Sequence, residues 1–151
     1  MKILVDADSC PRLAREMVLR AAARLRVKTV FAANRPIPGI DGEFAVMELC
    51  PPGEGSADNR IVELAEPGDL VVSRDVPLAG RLVAAGVAVI DDRGRRYSPE
   101  NIGEMLSLRN FMVGLAENGL GLERAACYGK KELKKFADSL DLVLTELTTA
   151  Q

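Results

Sequence analysis

The sequence contains no histidine, and this absence removes much of the chemistry that enzymes commonly use. Such a chain has no Ser-His-Asp or Cys-His triad, no His-ligated zinc and no histidine general base. Any acid–base step must therefore rely on Asp, Glu, Lys, Tyr, Cys or metal-bound water.

Aromatic residues are also scarce, at 4% of the chain, and tryptophan is absent. Because the apolar share is nevertheless 48%, the core must be built mainly from Val, Leu, Ile and Ala. That mixture suits an α/β protein, in which parallel strands are buried on both faces. The length of 151 residues matches one domain, which we expect to span residues 1–151.

Cysteine is sparse too, since Cys10, Cys50 and Cys127 lie far apart and form no CxxC pair. They indicate neither a structural zinc site nor a disulfide framework. We therefore expect three reduced thiols, as is typical of a cytosolic protein. Cys10 has no basic partner in view, so we interpret it as a packing residue. No signal segment or apolar run of roughly 18 residues is present, which predicts a cytoplasmic protein without membrane association.

The overall charge is slightly acidic, with a formal net charge of -2 and a pI of about 5.3. This excludes the strongly basic composition of proteins that coat DNA, although a local basic patch is compatible with it. The lysines within residues 130–135 are interpreted as a solvated helix face.

Short apolar runs without polar alternation predict strands that are covered on both faces. They are residues 3–5, 27–32, 70–72 and 87–90, with a further short strand at 44–49. Helical patterns occupy residues 12–25, 56–65, 77–86, 98–115 and 131–147. Ser56 and Ser98 are the expected N-caps of two of these helices. The alternation predicts a three-layer α/β sandwich around a central, mainly parallel sheet.

Carboxylates crowd the predicted carboxyl ends of the strands, where ligands bind in folds of this kind. They are Asp6 and Asp8 after the first strand, Asp58 in the first turn of the second helix, Asp75 after residues 70–72, and Asp91 and Asp92 after residues 87–90. Converging carboxylates repel each other, so that some take up protons or a divalent cation neutralises them. Oxygen ligands without His or Cys suit Mg²⁺ or Mn²⁺ rather than zinc.

Each of these acidic residues also has a purely structural explanation. An Asp after a strand often caps a turn or a helix, and Asp75 stands in position to cap the third helix. Asp58 is equally compatible with stabilisation of a helix N-terminus. Asp91 and Asp92 precede Arg93-Gly94, a turn sequence that favours a structural role for both.

The same residues resemble the YaiI/YqxD family of uncharacterised bacterial proteins. The resemblance runs in order from residue 3 to about 112 and rests on Val5-Asp6-Ala7-Asp8 with Pro11, Ala57-Asp58-Asn59, Ile61-Val62, Pro67-Gly68-Asp69-Leu70-Val71, Asp75-Val76-Pro77-Leu78-Ala79, Arg93-Gly94, Tyr97, Asn101-Ile102 and Arg109. No single motif is decisive, but the ordered set is specific.

That family is similar in fold to PIN-like domains, many of which cut RNA at an acidic metal site. The resemblance therefore implies a PIN-like fold for this chain. Its acidic positions match Asp6, Asp8, Asp58 and Asp75. Its recurrent polar positions match Asn34, Asn59 and Arg109, whereas its pattern requires no acids at residues 91 and 92.

The leading hypothesis is a nuclease that depends on Mg²⁺ or Mn²⁺ and acts on RNA, because such an ion acidifies bound water and clamps a phosphate. Asp6 is expected to hold the metal directly, and Asp8 and Asp75 to complete its shell directly or through water. Asp58 is expected to position the attacking water or a second metal.

Substrate binding is assigned to four further residues, Asn34, Asn59, Arg74 and Arg109. The two arginines are expected to hold phosphate oxygens, because a guanidinium fork matches their geometry.

Two other functions stay open at this point. The Asp6-Ala7-Asp8 spacing is also that of the nucleophile and acid–base pair in phosphatases of the haloacid-dehalogenase type. Ser73 and Asp91-Asp92 could complete such a site, but no suitable Lys follows a strand and Ser9 departs from the first motif. The third possibility is a module that binds RNA or a nucleotide without cleaving it.

Overall fold

A computed structural model describes residues 1–119 and 127–150. Its described strands are β1 Ile3–Asp6, β2 Thr29–Ala33, β3 Ala45–Leu49, β4 Leu70–Val72, β5 Ala88–Ile90 and β6 Arg96–Tyr97. They form one sheet in the order β3-β2-β1-β4-β5-β6. Neighbouring strands are parallel except that β6 is antiparallel to β5. The predicted mainly parallel sheet is confirmed.

Helices cover both faces of this sheet, which confirms the predicted three-layer α/β sandwich. They are α1 Arg12–Leu25, α2 Ser56–Leu64, α3 Val76–Ala84, α4 Ile102–Glu117 and α5 Lys130–Thr149. α1 and α5 pack on one face and α2 and α3 on the other, while α4 lies against α3. Within the described ranges, no helix is long and apolar enough to cross a membrane.

The strands lack polar alternation because each contributes to two cores. In β1, Ile3 and Val5 belong to the core that contains Phe136 of α5. The intervening Leu4 belongs to the opposite core, with Ile61 of α2 and Leu82 of α3. All six side chains are almost completely buried. Continuous apolar runs are what two-faced burial requires.

The sheet order places a topological switch point between β1 and β4. From β1 the chain passes to β2 and β3 on one side, and later to β4, β5 and β6 on the other. The connections that leave the carboxyl ends of β1 and β4 therefore diverge and open a crevice, where ligands bind in such sheets. Because Val5 pairs with Val72, Asp6 and Ser73 are neighbours at this edge.

Two expected helix caps are wrong, and both errors have a local cause. The N-cap of α2 is Gly55, whose φ of +79° is the left-handed conformation that glycine tolerates. Ser56 is instead the first helical residue, and its hydroxyl donates to Asn34 Oδ1 at 2.8 Å. The N-cap of α4 is Asn101 and not Ser98. The Oγ of Ser98 accepts the N–H of Asn101, and the N–H of Ser98 donates to Asn101 Oδ1.

Candidate active site

Four predicted acidic residues meet in one open cleft of about 390 Å³ at the switch point. Asp6, Asp8, Asp58 and Asp75 all line this acidic cleft. Three of the predicted substrate residues, Asn34, Arg74 and Arg109, also line it. Residues separated by up to about 100 positions in the sequence thus share one surface, as the strand-end rule requires.

The centre of the acidic cleft is a hydrogen-bonded chain from Asp6 to Asp75. Ser73 donates its hydroxyl to Asp6 Oδ2 at 3.0 Å and accepts the N–H of Asp75 at 3.0 Å. Ser9 donates to the same Asp6 oxygen at 3.3 Å. Burial raises the pKa of Asp6 above its ordinary value, and the two serine hydroxyls oppose that rise. Asp6 is therefore held in one orientation at the floor of the cleft, with only 7% of its surface exposed.

Asp8 lies at the rim of the cleft, towards β2. Its Oδ2 accepts the backbone N–H of Asn34 at 2.8 Å, and its Oδ1 lies 3.7 Å from Arg35 Nε. Asn34 is fixed in turn because its side-chain oxygen accepts the hydroxyl of Ser56. These contacts tie the loop after β1 to the end of β2 and the start of α2.

Asp75 combines the structural and the functional interpretations. Its Oδ1 accepts the N–H of Leu78 at 3.0 Å, so it is the N-cap of α3, as the structural explanation proposed. It also lines the acidic cleft. The capping hydrogen bond uses Oδ1 of Asp75, so Oδ2 takes no part in the cap.

Asp58 has the most perturbed carboxyl group of the cleft. Burial raises its pKa from 3.8 to about 6, assisted by the negative charges of Asp75 and Asp6 and by a hydrogen bond to Asp75, while Arg81 lowers it. Asp58 also lies in the first turn of α2, where a helix dipole favours negative charge. The raised pKa indicates that burial and the neighbouring carboxylates together outweigh the effect of the dipole.

Replacing Asp58 with Asn is expected to stabilise the metal-free protein at alkaline pH. Between about pH 4 and 6 the folded state binds more protons than the unfolded state, so its stability falls as pH rises and the full penalty applies above pH 6. A rise of this size corresponds to at most about 3 kcal/mol, which solvent screening reduces to about 1 kcal/mol.

Urea unfolding of both proteins in EDTA at pH 4 and pH 8 measures this difference. The variant should gain about 1 kcal/mol at pH 8 and almost nothing at pH 4. The matched control is Asp41→Asn, at an exposed position outside the cleft, which should change neither value. A loss of stability at pH 8 would mean that Asp58 has a structural role at the start of α2.

The predicted substrate residues differ in how they are placed. Arg74 reaches the cleft but forms an ion pair with Asp92, which is 3% exposed. Arg109 forms no ion pair with any described residue, and its guanidinium donates to the neighbouring Asn110. Asn59 does not line the acidic cleft, because it faces Arg81, which donates to its side-chain oxygen at 3.0 Å. Its predicted substrate contact therefore gains no support from its position.

Asp91 and Asp92, both interpreted as turn residues, have different roles. Asp91 accepts the N–H groups of Arg93 and Arg95 and is the turn residue that was predicted. Asp92 also lies in this turn, as predicted, but its carboxylate is in addition buried against Arg74 and its carbonyl oxygen accepts the Tyr128 hydroxyl.

Cys10 is confirmed as a packing residue. Its side chain belongs to the core shared by α1 and α5. Burial raises the pKa of its thiol to about 12, with the charge of Asp92 adding to the effect. The thiol therefore stays protonated near neutral pH and is a poor nucleophile.

Sequence reasoning missed several residues that shape the cleft. Ser73 was considered only for a phosphatase, although it bridges two of the acidic residues. Arg35 and Arg81 are the cations that partly offset the charge of Asp8 and Asp58. Ser73 directly follows β4 and Arg35 is the second residue after β2, so the rule that identified the acids could have identified them too.

The oxygen donors of the cleft limit which metal ions it can hold. Among residues 1–119 and 127–150, no three Asp, Glu or Cys side chains form a preformed metal-binding group. A tightly caged ion is therefore a poor fit. Mg²⁺ fits better, because it commonly takes one or two carboxylates and keeps several waters. Hydrogen-bonded Asp6 and the uncapped oxygen of Asp75 can supply that pair.

Comparison with known proteins places this sequence among bacterial relatives. Residues 4–146 match the family model described as "Uncharacterized BCR, YaiI/YqxD family". The chain is 48% identical to a UPF0178 protein of Treponema pallidum over 141 residues, which cover 93% of this chain and 80% of the relative. It is 40% identical to a UPF0178 protein of Stutzerimonas stutzeri over 153 residues, covering both chains completely. No solved structure matches it.

Proposed function

The chain belongs to the YaiI/YqxD family, and we propose that it is a phosphodiester hydrolase that depends on Mg²⁺ or Mn²⁺ and acts on RNA. The observation that carries this proposal is the convergence of four carboxylates in one open cleft at the switch point of the sheet. Burial, together with the negative charges of Asp75 and Asp6, raises the pKa of Asp58 to about 6, and a divalent cation relieves the part of this rise that is due to charge.

The four carboxylates of the cleft have distinct proposed roles around the metal ion. Asp6 and Asp75 would hold the ion, with Asp8 at the rim contributing directly or through water. When bound, the ion supplies an acidified water molecule and neutralises charge on the phosphate. Asp58 lines the same cleft and would position the attacking water or a second ion.

Two arginines line the cleft, Arg74 and Arg109, and such cations favour an anionic substrate. Arg109 lies on α4 at the cleft and has no carboxylate partner among the described residues. Its guanidinium is therefore available to a phosphate oxygen. Arg74 is a weaker candidate for direct contact, because Asp92 already neutralises it. We assign Arg74 to positioning the loop between β4 and α3, where Asp75 stands.

The phosphatase alternative is less compatible with the cleft. Its described lining contains no lysine, whereas that mechanism uses one after a later strand. Asp6, its expected nucleophile, is 7% exposed and accepts two serine hydroxyls. Fast turnover of a chromogenic phosphate monoester with a trapped aspartyl-phosphate would nevertheless reverse this order.

We expect the protein to bind Mn²⁺ weakly, with a dissociation constant on the order of 10⁻⁴ to 10⁻³ M, because few protein ligands replace the waters of the ion. Isothermal calorimetry at pH 8 measures it. The double variant Asp6→Asn, Asp75→Asn should lose most of this binding, since Asn offers no negative charge.

The control for this titration is again Asp41→Asn, which removes one exposed carboxylate elsewhere. It should bind Mn²⁺ as the wild type does. If the double variant binds as well as the wild type, the metal site does not lie in the acidic cleft and the proposal loses its basis.

A further inference from the structure

A second groove, of about 720 Å³, lies between α5 and the turn that joins β5 to β6. Its lining includes five cationic side chains, Arg93, Arg95, Arg96, Lys131 and Lys135. We refer to it as the basic groove. It is a local basic patch of the kind that a net charge of -2 allows, although the sequence alone predicted only a solvated lysine face at this position.

The acids that line the basic groove are already committed to other partners. Asp91 accepts the N–H groups of Arg93 and Arg95. Glu132 accepts the N–H of Gly129 at the start of α5. Asp138 pairs with Lys134, which does not line the groove.

Three of the cations, in contrast, form no close ion pair with any described residue. In the described ranges, no ion pair within 4.0 Å involves Arg95, Lys131 or Lys135. All three are exposed. The groove therefore presents more cationic than anionic side chains to solvent.

Close backbone packing holds these cations together. Gly94 has a φ of +85°, and a Cβ at this position would lie 2.4 Å from the carbonyl oxygen of Lys135. Only glycine allows such an approach without displacing the helix. The turn carrying Arg95 is thus seated directly on the turn of α5 that carries Lys135, which fixes the two walls of the groove against each other.

The basic groove and the acidic cleft are connected through the loop that follows β5. Asp91 faces the groove, and the next residue, Asp92, holds Arg74 of the cleft. Consecutive Cα atoms are only 3.8 Å apart. The loop after β5 therefore contributes to both surfaces, to the groove through Asp91 and to the cleft through the ion pair of Asp92 with Arg74.

We propose that the basic groove binds the phosphodiester backbone of an RNA strand, so that Arg95, Lys131 and Lys135 hold phosphates that flank the one in the acidic cleft. This rests on the proposed function for the placement of the strand, but binding to the groove does not require cleavage. Such contacts are independent of base sequence and weaken steeply with salt.

The test is the binding of a fluorescent single-stranded RNA oligonucleotide in EDTA, followed by anisotropy over a series of salt concentrations. The variant Lys131→Gln, Lys135→Gln should bind about tenfold more weakly than the wild type. Its slope of log K against log salt should be smaller by about 1.4, because each lost phosphate contact on a single strand removes about 0.7.

A matched control removes the same charge elsewhere. Arg20 and Lys28 are exposed and line neither the groove nor the cleft. Arg20→Gln, Lys28→Gln should leave both the affinity and the salt slope at the wild-type values. Equal weakening in the two double variants would overturn the proposal, because the effect would then reflect net charge alone.

The outcomes separate this inference from the proposed function. Loss of RNA binding in the groove variant supports the inference even if no protein cleaves RNA. If RNA is cleaved, bis(p-nitrophenyl) phosphate, which is too short to reach the groove, should be hydrolysed equally by the groove variant and the wild type. Two results would overturn the inference. One is RNA binding that is unchanged in the groove variant, and the other is wild-type protein that binds anionic vesicles but no RNA.

Discussion

Replacing Asp6 with Asn is expected to lower the rate of Mn²⁺-dependent RNA cleavage on the order of a thousandfold. Asp6 is firmly positioned, because it is the last residue of β1 and its Oδ2 accepts the hydroxyls of Ser9 and Ser73. Asn retains an oxygen that can accept these hydrogen bonds but removes the charge that attracts the metal. Cleavage of a labelled single-stranded RNA at saturating Mn²⁺ measures the effect.

Folding must be preserved for this loss to be informative. Because burial raises the pKa of Asp6, the neutral Asn should leave the metal-free protein as stable as the wild type or slightly more stable. Asp8→Asn should also reduce cleavage strongly, whereas Asp41→Asn should not. An Asp6→Asn protein that cleaves RNA at the wild-type rate would remove Asp6 from the mechanism.

Replacing Phe136 with Ala is expected to cost about 3 to 5 kcal/mol of unfolding free energy. Phe136 is completely buried in the core between α5, α1 and the sheet. Its removal leaves a cavity that rigid strands such as β1 cannot fill. Urea denaturation at pH 7 measures the change, and a loss of this size could unfold a domain of ordinary stability at physiological temperature.

Leu142 provides the matched control on the same helix. Its side chain is 59% exposed, so Leu142→Ala should change the unfolding free energy by no more than about 0.5 kcal/mol. A cost below about 1 kcal/mol for Phe136→Ala would show that α5 contributes little to the core. The walls of the basic groove would then be less firmly fixed than the packing of Gly94 implies.

The sheet and its acidic edge could be predicted because each depends on local sequence. Strands buried on both faces require continuous apolar runs, and residues 3–5 and 70–72 provide them. Parallel strands then bring their carboxyl ends to one edge, so the approximate positions of Asp6, Asp8 and Asp75 follow without any tertiary information.

The remaining features depend on contacts that no local pattern reveals. The pairing of Arg74 with Asp92 joins two loops 18 residues apart and converts a predicted substrate residue into a neutralised one. Asn59 turns away from the cleft because Arg81, on the neighbouring helix, binds its side chain. β6 has only two residues, too few for a periodic signal, and its turn creates the basic groove.

The helix boundaries show the same limit. The N-cap of α2 is Gly55, in the left-handed conformation. Ser56 has the better capping side chain, but its hydroxyl donates to Asn34 instead. Propensity ranks Ser above Gly at this position only when no tertiary partner competes for its hydroxyl. Predictions from a single sequence therefore failed where a side chain had two possible partners.

The most direct test of the central claim is the cleavage of mixed single-stranded RNAs by purified wild-type protein, in EDTA and over a range of Mn²⁺ concentrations. We predict no cleavage in EDTA, a rate that rises with Mn²⁺, and a further rise with pH as metal-bound water deprotonates. RNA and DNA that stay intact at every Mn²⁺ concentration would contradict the claim and leave a domain that binds without catalysis.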